Sequence, residues 1–170
     1  MQNSGKLLIL GILTVALLLA GTAWWFRYQT THRAANFWGP QAVHLIRDAP
    51  VVELCQFKLV EPKEPHYSAL QPRFTDCRNI SALPGITHLR NALLEDRSFR
   101  WPASPIRPGI EWKWVIIFRD ESNGKEIDLY FSSDWTFVRG VDDTVLSAQP
   151  IADGLATMLD ELVREPANSR

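Results

Sequence analysis

The chain has 170 residues, 46% of them apolar and 22% charged, and its 18 Lys and Arg nearly balance its 19 Asp and Glu. This balance argues against a general nucleic-acid binder, because phosphate binding needs a surplus of cations. Two cysteines are too few for a disulfide-rich mini-protein or a zinc site built from cysteines alone. The sequence also lacks the repeats and heptads that solenoids and coiled coils require.

Residues 7–26 differ sharply from this average, since 16 of the 20 are apolar and none is charged. As a helix they span about 30 Å, the thickness of the hydrocarbon core of a bilayer. Trp24 and Trp25, followed by Arg27, are typical of a helix leaving the membrane. We therefore predict a tail at 1–6 and a transmembrane anchor in the lipid bilayer at 7–26. The alternatives are a cleaved signal peptide and a buried helix of a soluble protein.

We predict that the chain crosses the membrane once. Positive charges flank the apolar segment on both sides, so they do not decide its orientation. The short N-terminal tail favours translocation of the long C-terminal part, which places the domain on the non-cytoplasmic side. The polar residues 27–38 predict a juxtamembrane linker. We expect a folded domain at 39–165 and a disordered tail at 166–170.

The first half of the domain predicts two helices and two strands. Pro40 suits the first position of a short helix that ends near Asp48. Residues 51–60 alternate as in a half-buried strand, and 73–77 predict a short strand that returns antiparallel to it. An apolar stripe at helical spacing predicts a helix over 81–96.

The second half carries the strongest signal. Residues 97–110 contain three prolines and predict an extended connection. Residues 111–141 predict a three-stranded meander, with Asn123-Gly124 as a type I′ turn and a third strand that starts at Trp135. An apolar stripe over 150–164 predicts a last helix. The fold class is therefore α+β, a mainly antiparallel sheet (the meander 111–141 plus strand 51–60) with about three helices.

Cys55 and Cys77 predict a disulfide. If the strands at 51–60 and 73–77 pair with Leu59 opposite Arg73, the same register places Cys55 opposite Cys77, close enough for a bond. Two buried free thiols are the alternative. His44, Cys55, His66, Cys77 and His88 recur every eleven residues. That spacing runs through different elements and does not converge, so we expect no metal site and no cofactor.

Two groups of residues suggest binding surfaces. Arg97, Arg100, Trp101 and Arg107 lie among prolines. This composition favours a stiff connection with Trp101 packed on the edge of the core, and a recognition surface is the alternative. Trp112, Trp114 and Trp135 lie on neighbouring predicted strands and either line a ligand groove or pack in the core.

No nucleophile, phosphate-binding or zinc-protease motif occurs, so no catalytic residues are predicted. The sequence favours a membrane-anchored module for protein interaction or envelope assembly, with a protein partner and no nucleic acid. One alternative is an enzyme, most plausibly a hydrolase, with a dispersed site of Asp, Glu or His. Another is a small-ligand sensor that uses the tryptophan-lined sheet face.

Overall fold

The computed structural model describes residues 3–60, 71–106, 108–140 and 144–164, so the predicted tail 166–170 lies outside the described residues. The helices are α1 (Asn3–Trp38), α2 (Pro40–Asp48), α3 (Ile86–Leu94) and α4 (Gln149–Arg164), with a short 3-10 helix at Asp96–Ser98. The strands are β1 (Val51–Val60), β2 (Gln71–Asn79), β3 (Arg100–Pro105), β4 (Trp112–Asp120), β5 (Lys125–Ser132), β6 (Phe137–Arg139) and β7 (Thr144–Ser147).

The seven strands form one antiparallel sheet in the order β2-β1-β4-β5-β6-β7-β3. The predicted α+β class is confirmed, and β4, β5 and β6 correspond to the predicted meander. The predicted sheet of three strands plus one is too small, because β2, which the sequence predicts at 73–77, pairs with β1, and β3 and β7 extend the other end. Strand β3 lies within the predicted connection 97–110. Its two prolines fit the edge of a sheet, where a missing N–H breaks no ladder.

The main core lies between the helices and one face of the sheet. Strand β4 contributes Trp114, Ile116 and Phe118 to this face, and each of the four α-helices places apolar side chains against it. The buried helix residues include Ala34 and Trp38 of α1, Leu45 and Ile46 of α2, Leu89 and Leu93 of α3, and Leu155 and Leu159 of α4. Their spacing is that of amphipathic helices, which is why the apolar stripes in the sequence located α2, α3 and α4.

Helix α1 joins the apolar segment directly to this core. Residues 27–38, where the sequence predicts a linker, are the last turns of α1. Ala34 and Trp38 are spaced by four residues, lie on one side of the helix and are buried. The Trp38 indole N–H donates to the Leu93 carbonyl at 2.7 Å, and the Ala34 N–H donates to the Asp96 carboxylate at 2.7 Å. The polar composition of 27–33 concealed this junction.

Among the described residues, one helix segment is long and apolar enough to cross a membrane: Ile9–Phe26, none of which is buried. Side chains along it are exposed, as with Ile9 at 60% and Leu17 at 72%. The apolar segment of α1 therefore has no partner within the described part of the chain, in contrast to the end of the same helix.

The β4–β5 hairpin forms where Asn123-Gly124 predicts it, but its turn differs from the predicted type I′. Asp120 pairs with Lys125, which leaves a loop of four residues. Gly124 has a φ of 65°, whereas Asn123 does not have a positive φ. The Asp120 carboxylate accepts hydrogen bonds from the Ser122 N–H at 3.0 Å and the Asn123 side chain at 2.7 Å. These bonds stabilise the longer loop.

Candidate functional site

The sheet has a second face, opposite the main core, which carries its own smaller cluster. Cys55 and Phe57 of β1 and Val115 and Ile117 of β4 are buried there, and Trp112 and Tyr130 pack against them. None of these residues belongs to a described helix. Side chains alternate along a strand. Since Val138 and Leu146 point into the main core, Phe137, Val145 and Ser147 lie on the second face.

A groove of about 390 Å³ lies at the end of this face that β6, β7 and β3 form. Phe137 is paired with Ser147, and Ser147 is paired with Arg100. An aromatic ring, a hydroxyl and a guanidinium therefore lie in one row across three strands. Pro102, Ser104 and Val145 also line the groove. Its volume falls in the range of about 300–1,000 Å³ that is typical of small-ligand sites.

Two side chains in this row are available to a ligand. Phe137 is 36% exposed, and among the described residues outside α1 only Phe74 is another large apolar side chain that is exposed. Arg100 is exposed at the start of β3. Its guanidinium makes no ion pair or hydrogen bond within the described part of the chain. The groove thus combines an apolar surface with an unpaired cation.

The structure brings two of the four residues of the candidate recognition surface together. Arg100 and Trp101 both line the groove, whereas the Arg97 side chain is 84% exposed and contacts Glu95 at 2.5 Å. Trp101 is half-buried, and its indole N–H donates to the Asp96 carbonyl at 2.9 Å. Its ring lies on the edge of the core, 6.2 Å from the rings of both Phe37 and Phe99. Arg107 lies outside the described residues.

A disulfide joins Cys55 and Cys77. The predicted register is off by one over part of the hairpin, where Leu59 pairs with Pro72 rather than Arg73. A bulge between Leu54 and Gln56 then corrects it, so that Leu54 pairs with Arg78 in the predicted register. Asp76, with a φ of 50°, is in the bulged stretch opposite Cys55. The extra residue brings the two cysteines together.

Trp112, Trp114 and Trp135, which the sequence assigns either to the core or to a ligand groove, lie on different faces of the sheet. Trp114 and Trp135 are buried in the main core, stacked with centroids 5.3 Å apart. Trp135 has a φ of 63° and lies in the turn before β6, which starts at Phe137 instead of Trp135. A bulge between Trp112 and Trp114 turns Trp112 to the second face. They therefore do not line one groove.

Charged residues surround the other end of the second face. Arg119 contacts Glu53 at 3.3 Å and Glu126 at 2.6 Å. The Tyr130 hydroxyl donates to the Asp128 carboxylate at 3.1 Å. Burial raises the pKa of Asp128, and burial together with the Asp128 charge raises the pKa of Tyr130 to about 12. Tyr130 therefore stays protonated and remains a hydrogen-bond donor at neutral pH.

Within the described part of the chain, no three His, Cys, Asp or Glu side chains are grouped so that they could hold a metal ion. His66, one of the residues that recur every eleven positions, lies outside it. His44 contacts Asp48 one turn along α2, at 3.6 Å, and both side chains are exposed.

Phe137 and Ser147 were missed as site residues from the sequence. The available signal was the alternation of Phe137 and Arg139 with the buried Val138, which separates two faces of a short strand. Nothing in the sequence identified the strand that lies beside it, because β7 has four residues.

No protein-family model matches the chain, and no curated protein or solved structure is significantly similar to it. The fold and the groove define its class as an α+β domain with an N-terminal helix long and apolar enough to span a membrane.

Proposed function

We propose that the protein is a membrane-anchored interaction module. Helix α1 holds the α+β domain next to the bilayer on the non-cytoplasmic side, and the second face of the sheet binds a partner protein. One observation carries this proposal: the same helix exposes an apolar segment at Ile9–Phe26 and ends inside the core at Trp38.

The exposed segment supports the anchor on energetic grounds. Each fully exposed Leu or Ile side chain forgoes about 1.5–3 kcal/mol of burial free energy in water, so such a surface favours a hydrocarbon environment. Trp24 and Tyr28 stack with centroids 5.9 Å apart at the end of the segment, and amphipathic rings favour the membrane interface. Confinement to a surface raises the effective concentration of a domain for its neighbours, which suits a binding module.

The groove supports a second candidate function, the binding of a small ligand. Its volume of about 390 Å³ suits a small molecule, and it requires no partner protein. Titration of the purified full-length protein with a library of anionic metabolite-sized compounds, followed by thermal shift, separates the two functions. Saturable stabilisation by one compound would favour the sensor.

Membrane fractionation tests the anchor. The wild-type chain should remain in the membrane pellet after alkaline carbonate extraction, with an intact N-terminus by mass spectrometry. The double variant Leu13→Arg, Leu17→Arg should be released, because each central arginine costs about 2.5–3.5 kcal/mol of insertion free energy. The matched variant Leu13→Ile, Leu17→Ile should stay in the pellet. A wild-type chain that begins after residue 23 would show a cleaved signal peptide instead.

A C-terminal fusion of alkaline phosphatase tests the orientation. The enzyme folds outside the cytoplasm, so an active fusion supports the proposed side of the membrane. An inactive phosphatase fusion with an active cytoplasmic reporter would reverse the orientation.

Cross-linking in intact membranes tests the interaction. We expect a reproducible partner from the full-length chain and weaker recovery from the arginine double variant. If photoactivatable residues placed on several exposed surfaces of the domain recover no reproducible partner, the interaction proposal fails.

A further inference from the structure

We infer that the groove beside β3 binds an extended segment of a partner protein, which places an acidic side chain on Arg100 and an apolar side chain on Phe137. This inference rests on the proposed interaction function and specifies the chemistry of the partner.

The charge of Arg100 is the first argument. Its guanidinium is exposed and has no partner in the described part of the chain, whereas nearby Arg97 contacts Glu95 at 2.5 Å. A guanidinium presents a planar fork of N–H donors that matches both oxygens of a carboxylate. Arg100 is therefore available to pair with a carboxylate of a bound segment.

The apolar surface is the second argument. Phe137 is 36% exposed beside Val145 on the floor of the groove. Phe137, Ser147 and Arg100 form one row across neighbouring strands, so Phe137 and Arg100 are two strands apart, about 9.6 Å between backbones. Side chains at positions i and i+2 of an extended segment are about 6.4–6.8 Å apart. The long side chain of Arg100 can bridge the difference between these two distances. A bound segment with an acidic residue two positions from an aliphatic one therefore fits the row.

Strand addition, in which a partner pairs its backbone with an edge strand, is a different way to bind at β3. Strand β3 is at the end of the sheet, where an incoming strand normally pairs with the exposed backbone. Pro102 and Pro105 remove two N–H donors from its six residues, which weakens such pairing. Recognition therefore takes place through the side chains that line the groove.

The test uses the full-length protein in nanodiscs with benzoylphenylalanine in place of Phe137, so that a bound peptide is cross-linked by light. The probe is the heptapeptide Gly-Ser-Leu-Thr-Glu-Ser-Gly, acetylated and amidated at its ends. One comparison peptide has Gln in place of Glu. A second comparison peptide has the Gln and a free C-terminal carboxylate. It tests whether a terminal carboxylate can replace the carboxylate of the Glu side chain.

We expect the Glu peptide to be labelled at least fivefold more than either Gln peptide. Arg100→Gln should abolish this difference, and the matched variant Arg97→Gln should retain it. Arg100→Glu should instead favour a peptide with Lys in place of Glu, a reversal that a misfolded variant would not show. Equal labelling of the Glu and amidated Gln peptides, a preference for the free C-terminus, or an unchanged preference in Arg100→Gln would overturn the inference.

The two proposals fail in distinguishable ways. Cross-links to a partner from other positions on the second face, without any from residue 137, would refute the groove and leave the interaction module standing. The absence of cross-links from every surface would refute both.

Discussion

The rings of Phe57 and Tyr130 meet edge to face, with centroids 5.0 Å apart, although strand β4 lies between their strands β1 and β5. Val115 of β4 pairs with Tyr130 and is completely buried on the same face of the sheet. The two rings and Val115 belong to one small cluster, to which no helix in the described part of the chain contributes.

Removal of one ring should expose this small cluster. We expect Phe57→Ala to lower the free energy of unfolding by about 3 kcal/mol, because a buried phenylalanine is lost and Val115 is exposed to water. Phe74→Ala is a graded comparison: Phe74 pairs with Phe57 but is 38% exposed, so its loss should cost less than the loss of Phe57. Urea titration of both variants measures the difference. Equal losses would contradict the arrangement.

The Cys55–Cys77 disulfide should contribute about 3 kcal/mol to stability, because it restricts the unfolded chain over a sequence separation of 22 residues. Reduction should therefore lower the urea midpoint of the wild type. The variant Cys55→Ser, Cys77→Ser should already have the lower midpoint and should not respond to reductant. Alkylation followed by mass spectrometry checks the bond directly: two modified cysteines without reductant would rule it out.

Stability should depend on pH through Asp128. Burial raises its pKa, against the opposing hydrogen bond from Tyr130, so the folded protein holds this proton more tightly than the unfolded chain. The stability gained from this proton is complete below a pH of about 3.9, the pKa of Asp in the unfolded chain. It is lost as the pH rises through the pKa of Asp128 in the folded protein. Asp128→Asn should therefore be more stable than wild type at pH 7 and lose this advantage near pH 3. Urea midpoints at both pH values measure it.

Asp134 supplies a control of opposite sign. Burial alone would raise its pKa, but hydrogen bonds from Ser132 at 2.6 Å and Thr136 at 2.8 Å hold the pKa below its usual value. The contribution of Asp134 is present above the unfolded pKa and is lost as the pH falls. Asp134→Asn should thus be less stable than wild type at pH 7. If both variants changed stability in the same direction at pH 7, the environments described for Asp128 and Asp134 would be wrong.

Gly140→Ala should destabilise the fold by about 1–3 kcal/mol through overpacking. A Cβ at this position would lie 2.7 Å from the Phe37 ring and 2.8 Å from the Thr144 hydroxyl. Gly154→Ala is the matched control: its Cβ meets nothing within 4 Å in α4, so it should stabilise the helix by about 0.8–1 kcal/mol. Phe37→Leu should relieve part of the Gly140→Ala cost, and strict additivity in a double-mutant cycle would argue against the contact.

Strong periodicity made part of the fold predictable. Strands β1, β4 and β5 alternate over eight to ten residues, and α4 carries an apolar stripe over four turns, so their type could be read directly. Strands β3 and β7 were not predicted, because one has six residues with two prolines and the other has four. Their place in the sheet depends on contacts distant in sequence, such as Arg100 with Ser147.

The candidate site was predictable to a smaller extent. Arg100 was identified because arginines and prolines cluster around it, and Cys55 and Cys77 because a regular hairpin opposes them. An alternation pattern in the sequence does not predict β-bulges, and two bulges affect the site. The one near Cys55 shifts the register, and the one near Trp112 reverses the face of a side chain. The groove combines β3, β6 and β7, so it could not be assembled before the strand order was known.

Helix α1 is continuous from the apolar segment to Trp38, so the number of residues between them sets the direction in which the domain faces. Each residue inserted between positions 27 and 33 would rotate the domain by about 100° around the helix axis and raise it by about 1.5 Å. An insertion of seven residues would restore nearly the same direction about 10 Å further out. The number of residues in this stretch therefore determines the direction in which the groove points relative to the apolar segment.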